Sequence, residues 1–413
     1  MNIASWVKLF DDKGSESVDV SHETVVESSR TNKRKRTKGS ERKTLSKEEM
    51  EMAFSESKSK RKKQKRQILL NMPWFPDVGK GKKKSHAWLE GACSLREEIE
   101  ALRRYVMPTR SEVRIHRTVL RAIQCLARTF IIGKTKVEMY GSNAAGVGTF
   151  FSDVDLSLKP LSPSSGDTNP ILRRLADLLR ATKWTHRVDL RLKATIPILH
   201  IWLVSDPKGG TEKKMGCLEV DVSLLKSDGV SAGKSKNGNC SIECGTNFVR
   251  QSCRKFPNLF IPLVLFVKTM LWQLGLDVPY SGGLSSFKLY VMVATHLIEE
   301  RRKNRSIKRL DVLLLSFLNH YGVNARRNLQ RNTVLKVPYV SALSMSVVRF
   351  QNVRRLSRII AAFKVAHHRL VTHQKLEHVL HIDQLTCRRE SAKRNIIHAT
   401  AELESFLSIY EEG

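Results

Sequence analysis

The chain of 413 residues is long enough to bury a sizeable core in two domains plus tails, and its 41% hydrophobic content is that of a protein that folds. Its 72 lysines and arginines against 40 aspartates and glutamates give a formal net charge of +32, which favours a polyanionic partner, nucleic acid ahead of an acidic membrane surface. Seven cysteines at irregular positions exclude a disulfide-stapled scaffold, and the longest apolar run, Leu259–Trp272, is too short and too interrupted to span a bilayer.

Residues 1–70 are polar, rich in Ser, Glu and Lys and poor in periodic apolar positions, and read as a disordered basic tail. Two basic runs, Asn32–Lys38 and Lys58–Arg66, read as nuclear-import signals, RNA contacts or both. Ile3, Trp6, Val7, Leu9 and Phe10 suit either a short docking helix or a frayed terminus. This end lacks the apolar stretch of a secretory signal, and Asp11, Asp12 and Glu16 argue against an organelle presequence.

The texture changes at Leu95. Ser94 caps a first helix, Pro108-Thr109 breaks it, and Ser111 with Glu112 starts a second. Val137 and Met139 mark a short strand that runs into a Gly141-Ser142 turn. Residues 152–158, SDVDLSL, alternate strictly, so Asp153, Asp155 and Ser157 share one face of a strand and Val154, Leu156 and Leu158 the other. After a Ser/Pro/Gly loop comes an amphipathic helix, Ile171–Trp184, and residues 188–205 give one or two strands. Cys217–Leu225 alternates again, with Glu219, Asp221 and Ser223 on one face. Lys226–Asn239 reads as an inserted loop. Cys240, Cys244 and Cys253 beyond it lack zinc-finger spacing and a matching histidine. The apolar period then lengthens to that of helices, at Phe248–Arg254, Leu259–Leu274, Leu284–Arg301, Lys308–Tyr321, Val353–Thr372 and Ser391–Tyr410. A mixed α/β domain is therefore followed by a mostly helical one.

Asp153 and Asp155 project from one strand face, where they repel and raise each other's pKa unless a cation lies between them. Asp221, on a second strand of the same pattern, adds a third carboxylate, and three such groups make an oxygen-only cradle for Mg²⁺. Two metals held this way suit phosphoryl transfer, and a Gly-Ser turn just ahead lets backbone N–H groups and a hydroxyl approach phosphates.

The Gly-Ser pair, ten residues, then DVDL and later EVDVSLL resemble the DNA-polymerase-beta-like nucleotidyltransferases. Pro279–Leu297 is similar to the Gly-Gly-Leu-Ser-Ser box of RNA-tailing enzymes, Pro262–Leu271 resembles the helix before it, and Leu313–Gly322 the end of the associated domain. Met72–Phe75 and Leu95–Leu120 resemble the opening segment of the divergent, non-canonical nuclear poly(A) polymerases that assist the RNA exosome, relatives of terminal uridylyltransferases. The resemblance spans roughly Met72 to Leu370. It implies an α/β + α architecture: a tail over 1–70, a palm-like catalytic domain over 71–245, and a helical poly(A)-polymerase-associated domain over 246–413, on which helices within 94–131 pack. It implies that Asp153, Asp155 and Asp221 bind two Mg²⁺ (or Mn²⁺) ions and that Asp221 helps activate the RNA 3′-hydroxyl. By the same resemblance Gly141 and Ser142 hold the triphosphate of ATP, Lys268 and Ser286 contact its outer phosphates, Phe287 stacks on the base, and Asn247 matches a ribose-contacting Asn. Taken alone, Lys268 also suits a snorkelling surface lysine and Phe287 a core residue.

The implied function is template-independent addition of AMP to RNA 3′ ends in nuclear RNA surveillance, with a zinc-knuckle RNA-binding protein and an RNA helicase as partners and no membrane. The base-reading Asn-rich stretch of such enzymes has little counterpart in Val337–Val353, so the alternative of a UTP-using enzyme stays open, as does an inactive RNA-binding scaffold. No RNA-recognition, KH or zinc-finger pattern is visible, and no helix-hairpin-helix of a DNA-repair polymerase.

Overall fold

A computed structural model describes residues 86–130, 135–160, 169–192, 197–203, 218–224, 242–303, 309–338 and 347–411. The tail, its two basic runs, Met72–Phe75, Lys226–Asn239 and Cys240 lie outside the described residues, as does the side chain of Cys244. Cys93, Cys125, Cys253 and Cys387 are free thiols.

Helix α1, Leu95–Val106, starts at a capping box: the Ser94 hydroxyl accepts from the Glu97 N–H at 3.3 Å and the Glu97 carboxylate accepts from the Ser94 N–H at 3.0 Å. Glu97 and Glu98 in its first turn and Arg103 and Arg104 in its last complement the helix dipole. Met107, extended ahead of Pro108, ends it. Helix α2, Arg110–Phe130, begins one residue earlier than Ser111 suggests. Thr109 and Glu112 form the reciprocal cap there, with Glu112 accepting from the Thr109 N–H at 2.6 Å and the Thr109 hydroxyl from the Glu112 N–H at 3.3 Å.

Five strands follow: β1 (Thr135–Tyr140), β2 (Val154–Pro160), β3 (Thr185–Arg191), β4 (Ile198–Leu203) and β5 (Glu219–Leu224). Where the sequence predicts one or two strands over 188–205, two are present, β3 and β4. The sheet order is β1-β2-β5-β4-β3, with β2 and β5 parallel and every other pair antiparallel. Between β1 and β2 the Gly-Ser turn is a one-turn helix, α3 (Gly141–Ala145), and α4 (Asn169–Arg180) precedes β3. The helical part comprises α5 (Ile242–Lys255), α6 (Phe260–Gln273), α7 (Ser286–Lys303), α8 (Leu310–Leu318), α9 (Leu356–His373) and α10 (Ile382–Glu411). The last begins well before the predicted Ser391. A two-stranded ribbon, Val334–Lys336 with Val347–Arg349, has no counterpart among the elements predicted from local pattern.

Two hydrophobic cores organise these elements. In the first, Val154, Leu156, Leu158, Leu199, Ile201, Val220 and Val222 on one sheet face pack against α2, α4 and the end of α10. The second centres on α6, buried almost all round from Phe260 to Leu271, with α1, α5, α7, α8 and α9 about it. The helices within 94–131 divide between the two cores. α1 packs on the helices through Ile99 and Leu102, but α2 turns Ile115, Val119 and Ile123 to the sheet, because the Pro108 break reorients the chain between them. Among the described residues no helix is long and apolar enough to cross a membrane.

Candidate active site

The polar face of the sheet, opposite its core, floors a cavity of about 860 Å³. Strand register sets what stands there. Tyr140 pairs with Asp155, Asp155 with Asp221, Asp221 with His200 and His200 with Asp189, so one cross-strand row runs through two of the expected aspartates. Asp153, two residues before Asp155, and Glu219, two before Asp221, open the next row on the same face. Asp153 faces the opening of the cleft and is exposed to solvent there, with protein around its other sides.

Gly141 closes β1 with φ +70° and donates its N–H to Thr246 Oγ1 at 3.2 Å. A Cβ at Gly141 would land on the Asp155 carboxylate, so only glycine lets the α3 backbone approach the acidic row. Asn143 Nδ2 donates to the Asp153 carbonyl at 2.8 Å and ties the turn to β2. From the helical side Lys268, nearly buried on α6, donates to Ser152 Oγ at 2.7 Å. The snorkelling reading of Lys268 is thereby excluded. Ser286, Phe287 and Tyr290, from the start of α7, line the same cavity, and Phe151, stacked on Trp272 at 4.1 Å between centroids, walls it.

Burial, then the charges of Glu219 and Asp221, push Asp153 up to about 7 against His200 and Lys268. Burial, then Asp153 and Asp221, push Asp155 up to about 8 against Lys268. Burial draws the Lys268 ammonium down to about 8, opposed by Asp153, Asp155 and Asp277. For His200 burial acts downward, but the hydrogen bonds and charges of Asp221 and Glu219 outweigh it and raise the imidazole to about 9. Its Nδ1 bonds Asp221 Oδ1 and its Nε2 lies 3.1 Å from Glu219 Oε2.

Among the described residues no three His, Cys, Asp or Glu side chains stand close enough as placed to enclose an ion. The donor set nevertheless fits a hard divalent cation. It is all carboxylate oxygen, two of its members are directly opposed across β2 and β5, and burial with mutual repulsion disfavours their charged forms until positive charge arrives.

Eight of the nine residues singled out in the sequence face this cavity: Gly141, Ser142, Asp153, Asp155, Asp221, Lys268, Ser286 and Phe287. Asn247 does not. It is exposed and lines a smaller neighbouring cavity with Glu138, Lys159 and Arg250, because on α5 its predecessors Gly245 and Thr246 take the cleft-facing side. Phe287 packs edge-on to Phe248 at 5.9 Å while keeping one side to the cavity. His200, Trp202 and Asp277 were missed, although the alternation of ILHIWL places His200 and Trp202 on one strand face.

Residues 95–234 match the model of the "Poly(A) RNA polymerase, mitochondrial-like, central palm domain" family. The chain is 28% identical over 240 residues to the poly(A) RNA polymerase CID14 of Cryptococcus neoformans, covering 57% of this chain and 28% of that protein. It is 27% identical over 260 residues to Trf4-2 of Drosophila melanogaster, named an inactive non-canonical poly(A) RNA polymerase protein, covering 60% of this chain and 55% of that one. The chain thus spans between about a quarter and about half the length of these relatives. Its fold is similar to the polymerase core of TRAMP, an RNA surveillance complex, with TM-score 0.54, 19% identity and coverage of 73% of this chain and 96% of that one. It is also similar to the Cid1 poly(U) polymerase, with TM-score 0.50, 20% identity and coverage of 70% and 97%. The palm sheet, its acidic row and these likenesses agree: residues 95–234 match the central palm domain of the poly(A) RNA polymerases, and the chain shares its fold with the TRAMP polymerase core and the Cid1 poly(U) polymerase.

Proposed function

We propose that the chain is a template-independent RNA 3′-end nucleotidyltransferase that adds AMP from ATP. The observation that carries this reading is the gathering of Asp153, Asp155 and Asp221 in one cavity with Gly141, Ser142, Lys268 and Ser286, from both the sheet and the helical core. Asp153, Asp155 and Asp221 would hold two Mg²⁺ or Mn²⁺ ions. Cations bound there would lower the pKa of the attacking hydroxyl and neutralise the departing phosphates.

Ser142 and the α3 backbone receive the triphosphate, and Lys268 and Ser286 reach its outer phosphates. Phe287 offers its free side to the base. The RNA 3′ oxygen bonds to the α-phosphorus, the α–β bridging P–O bond breaks, and pyrophosphate leaves. The hydroxyl proton passes toward Asp221, which His200 holds in place. The preference for ATP rests on the likeness to poly(A) polymerases and on the opening segment Leu95–Leu120. Work in the nucleus, with a zinc-knuckle RNA-binding protein and a helicase, is part of the same proposal. The two basic runs support the address, and the likeness to the polymerase core of TRAMP, an RNA surveillance complex, supports work within a protein complex.

Purified chain incubated with an RNA primer, Mg²⁺ and each nucleoside triphosphate separately should extend the primer with ATP. Asp153→Ala and Asp221→Ala should each reduce extension by at least about a thousandfold, in line with the loss of a charge-stabilising group, with unfolding curves retained. Preferential U-tailing would replace ATP by UTP. Parent-rate extension by Asp153→Ala would remove the site assignment, and no extension with any nucleotide would favour an inactive RNA-binding role like that in the name of Trf4-2.

A further inference from the structure

The cleft-facing side of the sheet changes character from its centre to its edge. Carboxylates occupy β2 and β5, while the edge strand β3 presents Arg187, Asp189 and Arg191, alternate residues on the same face. Between them β4 carries Trp202, paired with Glu219 on one side and Arg187 on the other. The Arg187 guanidinium lies 4.8 Å from the Trp202 ring centroid, and its Nε and Nη2 donate to Asp189 at 3.0 and 2.9 Å, which fixes its plane against the indole. Trp202 is partly buried. Its neighbours Ile201 and Leu203 enter the core, while the Trp202 ring stays on the cleft side and meets the His200 imidazole edge-on at 4.0 Å between centroids. Trp202 and Arg191 line one end of the cavity whose opposite end holds Lys268, Ser286 and Phe287, and the catalytic row lies between. The groups read as holding a nucleoside triphosphate leave this end unused.

We propose that Trp202, Arg187 and Arg191 form the platform that receives the 3′-terminal nucleotides of single-stranded RNA. Trp202 stacks on a base, the edge arginines meet backbone phosphates, and the strand is led toward Asp221, one strand over and one row along, a diagonal of roughly 7–8 Å. An aromatic stiffened by a guanidinium beside a cationic edge is the chemistry that binds single strands without reading sequence. That fits a chain carrying a net charge of +32. The proposal rests on the reading of this cleft as an RNA 3′-end site, and its test separates the two.

Oligo(A) RNA with 2-aminopurine as its 3′-terminal base is titrated with full-length chain in the absence of nucleoside triphosphate. This local probe reports the 3′ end whatever the basic tail adds to overall affinity. Binding of the parent chain should quench the fluorescence. Trp202→Leu should lose most of the quench and about tenfold in 3′-end affinity, Trp202→Tyr should restore both, and Arg191→Glu should weaken binding. Equal quenching by Trp202→Leu overturns the proposal, as does the same quench from a 2-aminopurine placed ~10 nucleotides upstream, a spacing well beyond a single stacking site. A chain that tails no RNA yet quenches in a Trp202-dependent way fails the catalytic reading and keeps this site. A chain that tails RNA with an unchanged primer KM in Trp202→Leu keeps the catalytic reading and loses this site.

Discussion

Gly141 shows how closely one residue can bind local geometry to chemistry. Its positive φ and the Asp155 carboxylate behind it both exclude a side chain. Gly141→Ala is expected to lose about 1–3 kcal/mol of stability from the left-handed backbone. It should also suppress primer extension far more than that loss explains, since Asp155 must move aside. Urea unfolding beside an extension assay checks this, and unchanged extension would contradict it. His296 makes the opposite case, a buried ionisable group outside the site. It is fully buried beside Phe317, His320 and Tyr321, and burial draws its pKa down to about 4 against Glu300, with His320 and Lys303 pulling the same way as burial. Between about pH 6.5 and pH 4 the unfolded chain binds a proton that the folded chain refuses, so stability falls as pH falls through that window, by up to ~1.4 kcal/mol per pH unit for one site. His296→Leu should flatten that part of a stability–pH curve measured with urea, and an unaltered slope would place the acid sensitivity elsewhere.

At the scale of elements, α10 joins the two cores. Leu385 belongs to the helical core, while Ile396, Ala399, Leu403 and Leu407 belong to the sheet core. Between these stretches Arg389 pairs with Glu112 of α2 at 2.9 Å, both side chains 3% exposed. The same guanidinium donates to the Met107 carbonyl at 3.3 Å and lies 4.7 Å from the Phe150 ring centroid. Removing one partner strands the other charge, so Arg389→Met should destabilise by about 3–5 kcal/mol. Adding Glu112→Gln should recover part of the loss, because the amide still accepts at the Thr109 cap without leaving a buried charge. Chemical denaturation of the two singles and the double gives the coupling, and additive effects would show that the pair acts as two independent groups.

Over the whole molecule, the excess of positive charge dominates the long-range field outside the site. If RNA is the partner, affinity falls linearly on a log–log plot against salt, with a slope that counts the phosphates neutralised. Deleting residues 1–70 removes Asn32–Lys38 and Lys58–Arg66. The truncated chain should show a shallower slope and weaker binding at low salt, while its extension rate at saturating primer is retained. An unchanged slope in filter binding across a salt series would mean that the palm and helical surfaces carry the whole electrostatic contact. A fluorescent fusion lacking the tail should also fail to accumulate in nuclei.

Local pattern in the sequence determined the strands and the face on which Asp153, Asp155 and Asp221 stand, because a period of two leaves a residue only two directions to point. It determined the caps at Ser94 and the long apolar helices for the same reason, since each signal lies within a few residues of its effect. Register between strands decided the rest. Pairing of Asp221 with His200, of Trp202 with Arg187, and of Asp155 with Asp221 joins residues up to 66 positions apart in the sequence, and no short-range pattern fixes which rung meets which. The rotation of α5 that turns Asn247 away, and the crossing of α10 from one core to the other, were likewise settled by packing between distant segments, where burial of apolar surface outweighs any local preference.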